Sequence, residues 1–112
     1  MIVIEIKDAD LVEEIRRQAA DAGVRNGVIV SLIGAVDRFT VSTMPSADPS
    51  ADTITAYDLP GEITSAVGDI RNGTVHLHAG FGVEGDRVIG GHLHAATVGH
   101  WFARAYVQPV QE

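Results

Sequence analysis

The sequence contains no cysteine. Disulfides and thiolate chemistry are therefore excluded, and any metal site has to be built from histidine and carboxylate. Positive charge is also scarce: 8 Lys and Arg against 15 Asp and Glu give a formal net charge of −7. Nucleic-acid binders carry basic patches that displace counterions from phosphates. Here Lys7, Arg25, Arg38, Arg71, Arg87 and Arg104 are scattered, and only Arg16 and Arg17 are adjacent. Direct DNA binding is not expected. No apolar run approaches the ~18 residues of a membrane span, so no membrane partner is expected either. No charged segment followed by a long apolar stretch opens the chain, which predicts no signal peptide and a cytoplasmic location. Tryptophan occurs once, at Trp101, and is read as packing in the core or an interface.

The 112 residues, 46% of them apolar, fit a single domain over 1–112. A chain this short buries a smaller share of its surface than a longer one, and oligomerisation relieves that. Ile2, Ile4 and Ile6 alternate with other residues and predict a strand. Asp8 or Asp10 then caps a helix, with Glu13 three residues after Asp10. Leu11, Ile15 and Ala19 form its apolar stripe, and Gly23 is a natural stop. Val28 to Val36 is a β-branched run without polar alternation, which predicts a strand buried on both faces. Gly34 within it points to a bulge or a close backbone approach. Phe39 to Thr43 continues as a strand, and Pro45 to Asp52, a near-repeat of Ser-Ala-Asp, reads as an exposed, mobile loop.

Further strands are predicted at Thr53–Leu59, Glu62–Asp69, Val75–Phe81, Arg87–Ala95 and Tyr106–Val110. Turns fall at Pro60-Gly61, Asn72-Gly73 and Glu84-Gly85-Asp86. One helix followed mostly by strands is an α+β pattern with a largely antiparallel sheet.

Four of the five histidines fall in two pairs, His76-Leu77-His78 and His92-Leu93-His94. Strand side chains alternate, so each pair shares a face and each leucine points the other way. Folded as a hairpin about Gly85, the strands bring cross-strand side chains to about 5 Å. Three or four imidazoles then converge. Three nitrogens with an open fourth position make a catalytic-type zinc site. The competing reading is a hydrogen-bonded polar cluster in an oligomer interface. Gly90 and Gly91 let the backbone approach something closely. His100, beside Trp101 and Phe102, reads as structural.

Several segments resemble the PPC (DUF296) domain family: Glu62-Ile63, Gly68-Asp69-Ile70, His76-Leu77-His78-Ala79 and Gly90-Gly91-His92-Leu93, with Gly23-Val24, Asn26-Gly27, Ser31 and Gly34-Ala35 earlier. The resemblance implies a compact α+β homotrimer, with a divalent metal, commonly zinc, on His76, His78 and His92. His94 has no counterpart in the usual motif and stands as a fourth ligand or an outer support. The implied fold is similar to that of acetolactate decarboxylase and a zinc-dependent ester hydrolase. That analogy sets no substrate. Arg104 stands where the family usually has a glutamate, and the AT-hook arms of plant members have no counterpart in these residues.

Two functional classes follow. One is a metal-dependent hydrolase or lyase acting on a small molecule, with Glu62 the candidate general base because it matches a family position. The other is a non-enzymatic protein, either a DNA-associated regulator or a trimeric interaction module.

Overall fold

The computed structural model describes residues 1–111. Among them are nine strands and one helix: β1 (Ile2–Ile6), β2 (Ala9–Asp10), α1 (Leu11–Asp21), β3 (Gly27–Val36), β4 (Arg38–Thr43), β5 (Thr53–Tyr57), β6 (Gly61–Arg71), β7 (Thr74–Val83), β8 (Arg87–Val98) and β9 (Ala103–Pro109). The sheet order is β1-β9-β3-β6-β7-β8-β4-β5, with β2 on the far end of β8. All these pairings are antiparallel. This is the α+β class that the element pattern predicts.

The helix forms where its signals predict. The Asp10 carboxylate accepts from the Glu13 backbone N–H at 2.9 Å, which satisfies one of the orphan donors of the first turn. Leu11, Ile15 and Ala19 are buried as α1 packs against β8, β1 and β7. At the other end Val24 donates to Ala19 and Gly23 to Ala20, with Gly23 at φ 75°. This is a Schellman stop, which needs a residue tolerant of the left-handed region.

The core fills the space between the helix and one face of the sheet. Ile4, Ile6, Leu77 and Val107 point into it. Phe39 stacks on Phe81 at 4.2 Å between ring centroids and on Tyr57 at 5.3 Å.

Three strands carry an extra residue. Register slips by one at Val30 in β3, Thr64 in β6 and His94 in β8. Each bulge reverses the in–out alternation beyond it. After Leu93 the buried positions on β8 are Ala96 and Val98.

The expectation that β3 is buried on both faces does not hold. Val28, Val30 and Ile33 are exposed, because the single helix covers only one side of the sheet. Trp101 is 64% exposed and lies outside the core. Pro45 to Asp52 is largely exposed, as its composition predicts. Gly34 makes a close approach and is not the bulge: a Cβ there would meet the Phe102 carbonyl oxygen at 2.1 Å.

Candidate metal centre

Leu77 and Leu93 anchor the centre from behind. Both are buried, so strand alternation sends their neighbours His76, His78 and His92 to the outer face. His78 lies directly across from His92 in the β7–β8 ladder. Ring centroids are 4.9 Å apart for His76–His78, 4.9 Å for His76–His92 and 5.7 Å for His78–His92. One nitrogen from each of these three rings falls within 4.8 Å of the others.

The donor set fits a divalent ion. Tetrahedral bonds of ~2.1 Å set ligand nitrogens about 3.4 Å apart. The Nε2 atoms of His76 and His78 are already 3.2 Å apart, and modest side-chain rotation closes the remaining gap to His92. His92 is held below the usual histidine pKa, first by burial, then by repulsion from His94, His76 and His78, partly offset by Asp52. Its neutral form, the form that ligates metal, is therefore favoured.

His94 sits differently. As the bulged residue of β8 it turns its Nε2 to the Ser42 hydroxyl at 2.8 Å, while its ring stays 4.7 Å from that of His92. Ser42 is buried and pairs with His92 across β4 and β8. Gly91 permits that pairing, because a Cβ there would come within 2.4 Å of the Ser42 carbonyl oxygen.

A pocket of about 470 Å³ opens beside His78 and His92. The carboxylate in its lining is that of Asp52, from the end of the β4–β5 connection. Glu62 is not brought to the histidines. It lies opposite Gly82 and Ala35 and lines a separate cleft with Trp101 and Phe102. Asp52 escaped sequence reasoning because it ends a low-complexity loop. Only the β4–β8 pairing, invisible in local pattern, carries that loop to the centre.

Two other residues are placed by local pairing. His100 is exposed and bonds Asp37 at 3.1 Å, which holds the Asp37 carboxyl below its usual pKa. Arg104 pairs with Glu5 at 2.5 Å and lies over the Phe102 ring.

Residues 1–108 match the Plants and Prokaryotes Conserved (PCC) domain. The chain belongs to that family. Solved structures share the fold of this PCC domain. A plant- and prokaryote-conserved (PPC) protein of Pyrococcus horikoshii has a TM-score of 0.85 at 18% identity, covering 99% of this chain and 79% of its own. The metal-containing protein AF0104 of Archaeoglobus fulgidus has a TM-score of 0.79 at 24% identity, with 96% and 79% covered. A protein of Ralstonia eutropha named as a candidate DNA-binding protein has a TM-score of 0.82 at 17% identity, with 98% and 78% covered. No curated protein matches the chain. Among the described residues of this PCC domain, no helix is long and apolar enough to cross a membrane.

Proposed function

We propose that this PCC-domain protein holds a divalent metal, zinc, on His76, His78 and His92, and that the centre serves a hydrolase- or lyase-type reaction on a small molecule. The observation that carries this reading is the convergence of three outward imidazoles, with ligand nitrogens within 4.8 Å, on two paired strands. The metal-containing name of the Archaeoglobus fold relative agrees with it.

Zinc on three nitrogens with an open position supplies an activated water and polarises a carbonyl. The protein's own part is positional. Leu77 and Leu93 fix the backs of the two strands, and burial, which lowers the His92 pKa, favours the neutral imidazole that ligates metal. His94, bonded to Ser42, packs against His92 as an outer support and is not a fourth ligand. Such outer contacts orient metal-bound imidazoles. Glu62 has no role in this reading, since it lies in the other cleft.

Titration calorimetry with zinc tests the ligand set. Wild type is expected to take up one equivalent, and His78→Ala none. Unchanged uptake by the variant would refute the assignment.

We further infer that the chain assembles as a homotrimer. The outer face of β1, β3 and β6 exposes Val3, Val28 and Val67 at 53%, 44% and 71%. Several large apolar side chains exposed on one sheet face favour an interface there. A closed cyclic assembly would cover it.

A further inference from the structure

The pocket beside His78 and His92 has a definite chemical character. Its volume of about 470 Å³ lies in the range of small-molecule sites, ~300–1,000 Å³. Ala79 and Gly80 give it a floor without bulky side chains, and Met44 and Val67 give it apolar walls. Ser65 contributes a hydroxyl and Asp52 a carboxylate. Among the described residues, neither Lys nor Arg lines it. Two histidines of the three-nitrogen cluster form one side, so an occupant would lie beside an ion that those residues would hold.

Charge decides what fits. A phosphate or carboxylate tail in this pocket would face Asp52 with no Lys or Arg in the lining to offset it, inside a chain whose net charge is −7; the charge of a metal ion is common to all occupants, because each would bind it through its donor end. Like charges in a walled cleft repel more strongly than on open surface. An ammonium or hydroxyl tail meets an acceptor instead.

We propose that this pocket is the ligand site of the three-histidine centre and that Asp52 selects its occupant by charge. The occupant is a small molecule with one metal-binding donor and an uncharged or ammonium-bearing tail, and anionic-tailed molecules are rejected. This inference rests on the metal reading above.

Three small thiols of matched reach test it on cobalt-loaded protein: cysteamine, 2-mercaptoethanol and 3-mercaptopropionate. Binding is read from the thiolate-to-cobalt absorption band, not from turnover. Wild type is expected to bind cysteamine roughly three- to fivefold more tightly than 2-mercaptoethanol, the scale of a partly exposed ion pair, and 3-mercaptopropionate more weakly by a similar factor. Asp52→Asn is expected to lower the cysteamine-to-mercaptopropionate affinity ratio roughly threefold or more relative to wild type, and Asp52→Lys to lower it further. Chelation of cobalt by the cysteamine amine would persist in both variants, so it is separated from an effect of Asp52. If cobalt is bound but no thiol gives the band, or the cysteamine-to-mercaptopropionate ratio is the same in Asp52→Asn as in wild type, this inference is overturned while the metal reading stands. Failure of the protein to take up cobalt overturns both.

Discussion

Gly91 bears the tightest constraint next to the histidines. A methyl group there would lie 2.4 Å from the Ser42 carbonyl oxygen, well inside van der Waals contact, and backbone cannot yield as a flexible side chain does. Gly91→Ala is expected to destabilise the fold by about 1–3 kcal/mol, the scale of overpacking, and to weaken zinc binding by displacing His92. Urea unfolding and zinc titration check the two effects, and unchanged values in both would refute the close approach. At this scale much of the site was legible. His-x-His with an apolar centre on a strand puts two imidazoles on one face by geometry alone, and the family resemblance points to the same three histidines. The family motif set His94 apart as a fourth ligand or an outer support, but its bulged placement was not legible. Its bulge arises from the pairing of β8 with β4, and a one-residue insertion leaves no mark in local composition.

Among the elements, α1 and the bulged strand β8 are tied through one residue. One carboxylate oxygen of Asp10 accepts from Glu13 N–H and the other from Ala96 N–H at 2.8 Å, just past the bulge. Loss of the side chain leaves two backbone donors without partners. Asp10→Ala is therefore expected to cost about 1–3 kcal/mol, more than an isolated helix cap. Thermal unfolding checks it, and a shift within the error of a surface substitution would contradict the double role. The cap, stripe and stop of α1 were all readable because they depend on neighbours in sequence. β2 was not, since its two residues form a strand only by pairing with Thr97 and Val98. β3 was misread because its apolar run was taken for burial on both sides, whereas Val28, Val30 and Ile33 face outward.

At the scale of the whole molecule, the family resemblance and the small domain size predict a homotrimer, which would cover exposed apolar residues such as Val28, Val30 and Ile33. Light scattering at micromolar concentration is expected to give three times the 11.9 kDa of one chain, and the mass of a single chain would refute it. The same scale governs DNA. Arg16, Arg17, Arg38 and Arg104 each sit beside a carboxylate, so folding offsets the basic charge and gathers none of these four into an open patch. Anisotropy with an A·T-rich duplex at about 150 mM salt is expected to show nothing tighter than the ~10⁻⁶ to 10⁻⁴ M of non-specific contact. Saturable nanomolar binding would favour the regulator over the enzyme. Strand order was the least legible feature of the chain, since β9 inserts between β1 and β3 and β4 joins β8 across long stretches of sequence.

The most direct test of the central claim is elemental analysis of protein purified without a histidine tag or added metal. The three-histidine centre predicts about one divalent ion per chain, and none in His78→Ala. Wild-type protein that carries no metal, and takes none up at neutral pH, would contradict it.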